Sequence, residues 1–230
     1  MSMSRPLVGV VSLLLVGGLS GCGVSGTDFH PGVAAQVDGG TVSVSKVDDV
    51  ARAYCDAITT QLQGQQQVLP LHYLRGGVAG ELALKTAAEQ FAAEHRVGPG
   101  VQYDRKVASL ETATSQLPDD QASAVIEIES AGDYVSGVEQ AVGAQVLQRQ
   151  GTSRPTSDQA AKAGAAAFSS WLQDQDVQID PQFGVEIKGD KAVPTDTSVS
   201  YALSQTATQG NAQTPDQTYA AGLPASHRCG

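Results

Sequence analysis

The chain has 230 residues, a formal net charge of −10 and a pI near 4.7. That length accommodates one large or two small domains, and an acidic surface repels phosphate backbones, so nucleic acid is not an expected partner. Aromatic residues are only 5% of the chain, which leaves Val, Leu and Ala to build the core.

The first segment reads as an address. Arg5 precedes an apolar run from Leu7 to Leu19, too short to span a bilayer comfortably and suited to a secretory signal. It ends in Leu19-Ser20-Gly21-Cys22, which resembles a bacterial lipobox. The resemblance implies a leader over residues 1–21, a diacylglyceryl group of the palmitate type on the Cys22 thiol, and anchoring to the outer face of the cell membrane. The other reading is an ordinary cleaved signal with an incidental Cys. Residues 22–32 are small and polar and read as a flexible tether.

Val33 to Val37 and Thr41 to Val44 are two β-type runs, with Asp38-Gly39-Gly40 between them as a hairpin turn. Ser45-Lys46-Val47-Asp48 has the form of a helix start. Val47, Val50, Ala51, Tyr54, Cys55, Ile58 and Leu62 then share one helical face, which fades in the Gln-rich stretch after it. A second helix is expected over Leu71 to Arg96, weakened at its start by Gly76-Gly77 and stopped by Val97-Gly98-Pro99-Gly100. A third covers about Gln102 to Ser115. A fourth, long and continuous, is expected from Asp119 to Arg149, because Val125, Ile128, Ala131, Val135, Val138, Val142 and Val146 step by three or four residues. Gly132, Gly137 and Gly143 lower its intrinsic stability, so it needs tertiary partners. Thr156 or Ser157 caps a fifth helix that runs through Phe168, Trp171 and Leu172.

Val177-Gln178-Ile179 and Val185-Glu186-Ile187 alternate around an Asp180-Pro181 turn. A two-stranded hairpin is marginal alone, so this late β segment is the expected partner of the first hairpin. The fold class that follows is mostly α: a five-helix body with a small sheet made by the N-terminal hairpin and the C-terminal β segment, over residues 33–203. Residues 204–230 are low in apolar side chains and read as a disordered, low-complexity tail.

The run from Val33 to Asp48 resembles the opening of SurA-type and PrsA-type extracytoplasmic chaperones, which begin with a strand, a short turn, a second strand and a helix. Ala35, Val37, Asp38, Gly39, Val42, Ser43 and Val47-Asp48 carry the resemblance, and Gly40 departs from it. Pro181-Gln182-Phe183-Gly184 is similar to a Pro-Arg-Phe-Gly stretch in short lipoproteins of this group, with Gln in place of Arg. The parvulin prolyl-isomerase domain of those chaperones has no room between the fourth and fifth helices. The resemblance therefore implies the SurA N-terminal-like chaperone part without the isomerase.

Motifs for chemistry are sparse. His30, His72, His95 and His227 show no metal-binding spacing, and no Cys-x-x-Cys occurs, so neither a metal nor another cofactor is expected. No nucleophile elbow or phosphate loop is present. Glu127 and Glu129 lie about 200° apart on a helix and do not converge. Phe168 and Trp171 are either a peptide-binding patch or core filling in an aromatic-poor protein; Tyr54, Tyr73 and Tyr103 pose the same choice. With Cys22 acylated, Cys55 and Cys229 remain, in a compartment that permits disulfides. They either bridge, pinning the tail across the domain, or stay as a core thiol and a tail thiol that is free or joined to another chain.

The expected function is a membrane-anchored lipoprotein that is not an enzyme and binds unfolded secreted polypeptides without ATP. The alternatives are an accessory or scaffold lipoprotein with one envelope partner and, further off, a prolyl isomerase.

Overall fold

The computed structural model describes residues 31–37, 39–195, 204–210, 212 and 216–230. The leader, Cys22, residues 23–30 of the tether and Asp38 of the turn lie outside the described residues. The fold is mostly helical with small antiparallel sheets.

Strand β1 (Val33–Val37) pairs with β2 (Gly40–Ser43) as expected. Ala34 and Ala35 are buried side by side, which strict alternation forbids; an irregularity in the ladder between Val33 and Ala35 permits it. Gly39 turns the chain at φ +91°. Gly40 faces Thr86 and Gln90, where a Cβ would collide with the Gln90 amide. That amide donates to the Val37 carbonyl oxygen at 2.7 Å, so the bare Gly40 makes room for a clamp on β1.

Helix α1 (Val44–Gly64) starts one residue before the predicted Ser45. Ser43 is the cap, its hydroxyl accepting from Lys46 N at 3.1 Å. A two-residue strand β3 (Leu69–Pro70) leads into α2 (Leu71–His95), whose bounds match the prediction to within one residue. Helix α3 (Val101–Ala113) buries none of its residues.

The long fourth helix is two helices. α4 (Asp119–Glu129) and α5 (Ala131–Arg149) meet at Ser130, whose hydroxyl donates to the Ile126 carbonyl at 2.6 Å. Such back-bonding to residue i−4 bends helices, and hydrophobic spacing does not register it. The bend sends α4 against α1 and α5 against α2 and α6 (Ser157–Asp174). The five-helix body is therefore six helices. Thr156 and Gln159 form a reciprocal capping box at the start of α6. Two of the glycines of the fourth-helix region do meet backbone: a Cβ at Gly137 would overlap Pro99, and one at Gly143 would overlap Ala160. On the facing helix Gly164 meets the Glu139 carbonyl. The α5–α6 pair is thus packed backbone to backbone.

β4 (Val177–Ile179) adds to β1 in the order β2-β1-β4, with Ala35 opposite Ile179 and Val37 opposite Val177. The rest of the late β segment does not join this sheet. β5 (Val185–Lys188) turns back on β6 (Lys191–Pro194), which the alternation did not reveal. Part of the tail is ordered rather than disordered. α7 (Gln205–Gly210) and α8 (Gln217–Gly222) are short helices, and β7 (Arg228–Cys229) pairs with β3. Cys229 is bonded to Cys55, with Cα atoms 5.5 Å apart across 174 residues of sequence.

Two larger cores result. One joins α1, the first half of α2, the first hairpin and Phe183. The other joins the second half of α2 with α5 and α6 around Phe91 and Phe168, whose ring centroids are 5.2 Å apart.

Candidate functional site

The site is built on the first turns of α2. Gly76 and Gly80 lie one helical turn apart and present backbone instead of side chain. A Cβ at Gly76 would strike the Phe183 carbonyl, and one at Gly80 would strike Ala192. Their bareness lets the Pro181–Phe183 turn and the β5–β6 hairpin lie directly on the helix. Sequence reasoning took Gly76 for a weakening of the helix start; the i, i+4 spacing of the two glycines was the available signal of a close approach.

Phe183 anchors the turn. It is buried in the first core, and the Arg75 guanidinium stands 5.3 Å from its ring centroid. Arg75 also pairs with Asp48 of α1 at 2.6 Å, both groups partly shielded. Asp180 accepts from the backbone N of Gln182 at 2.9 Å and from its side-chain amide at 2.8 Å. The Gln182 side chain is therefore spent inside the turn. Gly184 follows at φ +63° and releases the chain into β5.

Between α2 and the hairpin runs a cleft of about 310 Å³. Tyr73 and Gly77 form one wall, and Phe183, Val185, Val193 and Pro194 much of the other. Gly210 and Ala212 of the tail close one end, where the Gly210 carbonyl lies 3.2 Å from His72 Nε2. Glu81 lies at the inner end, and burial, then the charge of Glu129, pushes its carboxyl above the usual range. Among the described residues β6 is paired on one edge only, with β5.

Further along α2 a second pocket, of about 350 Å³, is lined by Glu81, Glu139, Asp190 and Lys191. Glu139 is 8% exposed. Its carboxyl is pushed up to about 7, first by burial and then by Asp190, with Lys191 opposing. Glu127 and Glu129 do not converge, yet both reach α1: Glu127 pairs with Lys46 at 2.7 Å, and Glu129 accepts from the Tyr54 hydroxyl. Burial and that carboxylate hold the Tyr54 phenol above its ordinary range.

Of the residues singled out from sequence, Phe168 is fully buried against Phe91 and offers no surface to a peptide. Trp171 is half-buried, stacks near Phe168, and donates from Nε1 to Glu94 at 2.9 Å. Tyr103 packs edge-on against Tyr134. Among these aromatic candidates Tyr73, 41% exposed, is the one that lines the cleft. Cys55 and Cys229 sit with Leu62 in a small cluster of their own, beside β3 and β7 rather than beside the first hairpin's sheet. Among the described residues no three His, Cys, Asp or Glu converge to hold a metal ion, and no helix is long and apolar enough to cross a membrane.

No family model matches the chain, and neither a curated protein nor a solved structure matches it.

Proposed function

We propose that the chain is a lipid-anchored, extracytoplasmic protein that holds unfolded secreted polypeptides reversibly, without ATP and without catalysis. The observation that carries this reading is the cleft on α2: Ala192, Val193 and Pro194 of β6 line it, and among the described residues that strand is paired on one side only. An extended segment laid along such a strand gains main-chain hydrogen bonds whatever its sequence, which suits a binder of many clients. Tyr73, Phe183 and Val185 supply apolar contact beside it. Pro194 lacks an N–H, which limits how far a pairing can extend and favours transient over permanent association. The likeness to SurA-type and PrsA-type N-terminal domains is supported by β4, a strand after the last body helix that returns to the N-terminal hairpin. The anchor is Cys22, from its lipobox.

Two measurements test this. The chain should suppress aggregation of an unfolded client; no suppression at several-fold excess overturns the reading. Cys22→Ala should release the protein from membranes or leave it unprocessed, and unchanged fractionation and mass would remove the anchor. Cross-linking in cells should yield a spread of clients. One dominant partner would make the chain an accessory lipoprotein instead.

A further inference from the structure

The second pocket shares Glu81 and Ala192 with the cleft, so the two adjoin. Its walls come from three elements: α2 gives Glu81, α5 gives Ser136 and Glu139, and the β5–β6 turn gives Asp190 with Lys191 after it. Three carboxylates thus face one ammonium. Glu139 is the most enclosed of them. Its Oε1 is buried with no hydrogen-bond partner, which a native structure rarely tolerates without an occupant. Lys191 is exposed and forms no ion pair with it. The main chain that carries Glu139 is itself fixed, seated on Gly164 of α6.

The chemistry of an occupant follows. It must donate to a buried carboxylate and carry positive charge. The acidic groups do not converge on one point as a metal ion requires. A pocket of about 350 Å³ suits a bulkier cation that donates through N–H groups.

We propose that this pocket takes the basic side chain, Lys or Arg, of a polypeptide whose backbone lies in the adjoining cleft. The proposal rests on the client-binding reading above and sharpens it: the strand edge accepts any backbone, and the pocket selects segments that carry a cation beside their apolar residues. Binding is coupled to pH. The groups facing Glu139 are Glu81 from α2 and Asp190 and Lys191 from the hairpin, while α6 meets it with uncharged Gly164. A bound cation favours the ionised carboxylate, so binding releases a proton and tightens as pH rises through about 7.

The test uses the full-length chain and fluorescence anisotropy of two labelled peptides, one apolar with a central Lys and its twin with Met in that place. n-Butylammonium chloride serves as the free-amine probe. The Lys peptide should bind about tenfold tighter at about pH 8, the size of one charge-assisted hydrogen bond. Glu139→Gln should abolish most of that preference, as should lowering the pH to about 5.5. Asp190→Asn, at the hairpin turn, should reduce it in a variant less exposed to misfolding. Equal binding of both peptides, with no effect of butylammonium, overturns the pocket and leaves the cleft reading intact. Binding of butylammonium, read by isothermal titration calorimetry, with no peptide binding keeps an ammonium site but overturns a polypeptide as its source, and the client reading with it. Failure of all three ligands to bind overturns both.

Discussion

At its N-terminal end the described chain is held by β1, the middle strand of a sheet, with Ala34, Ala35 and Val37 fully buried. At its C-terminal end it is held by a two-residue ladder between β7 and β3 and by the Cys55–Cys229 disulfide. The first closure draws on apolar area and register, and most of what it needs is written as short apolar runs on either side of a glycine turn. The second has little apolar area to draw on. Among the described residues of that tail segment Ala220 and Cys229 are the buried ones, so a covalent bond does what packing cannot. The lesson is that a segment of tail-like composition can still be structural when one of its residues is cross-linked.

The comparison can be broken most severely by removing everything after Gln175. That deletion takes away β4, the β5–β6 hairpin, Phe183 and β7, and leaves β1 with a bare edge. Loss of any cooperative melting transition is expected by circular dichroism. A normal melt would mean that the helical body stands without either closure. Next in size is the covalent closure itself. Reduction, or Cys55→Ser with Cys229→Ser, should lower stability by roughly 2–4 kcal/mol, the usual range for a native bridge closing a long loop. The helical signal should remain, and the denaturant midpoint is the readout. An unmoved midpoint would show that the tail does not stabilise the domain.

Val37→Ala probes the packed closure and should cost about 1.5–3 kcal/mol, since the side chain is fully buried. The cost should be equal in oxidised and reduced protein, because Val37 and the disulfide belong to different clusters. Unequal costs would mean that the two closures act as one. Ser43→Ala removes the cap that joins the hairpin to α1 and should cost about 1 kcal/mol.

The smallest effect is a slope. Glu139 belongs to neither closure but faces the hairpin that hangs between them. Its carboxyl is raised from 4.5 to about 7 in the fold. Between those values the native state binds more protons than the unfolded one, so this group makes stability fall as pH rises, with the loss complete above about 7. Glu139→Gln should therefore flatten stability against pH in that window and stabilise the protein at alkaline pH. An unchanged slope would remove Glu139 as a buried titrating group.

Some of this was legible in residues alone. The boundaries of α2, a cap at Thr156 or Ser157 and the need of a glycine-bearing fourth helix for tertiary partners are local matters, set by spacing, side-chain capping and backbone freedom. The Cys55–Cys229 pair was legible because, with Cys22 set aside for acylation, two thiols remained. The candidate site was not. Its floor is a pair of glycines whose only function is to be bare. Its wall is a hairpin whose second strand, Lys191–Pro194, is too short to announce itself. Glu139 lies on the same helical face as Val135, Val142 and Val146, a carboxylate within an apolar stripe, and that stripe does not say which acidic and basic groups of other elements will face it.

By itself the sequence determined the helical stretches of the body, the first hairpin, a β return after the last body helix and the two cysteines available to bridge. These depend on interactions within a few residues, or on how many thiols there are. Only the tertiary structure decided that β4 alone joins the first sheet, that the helix bends at Ser130, and that the tail docks on β3. It alone set three acidic side chains from α2, α5 and a turn around one pocket. Those outcomes depend on which distant surfaces meet, and strand register and helix approach are chosen by the packing of the whole chain.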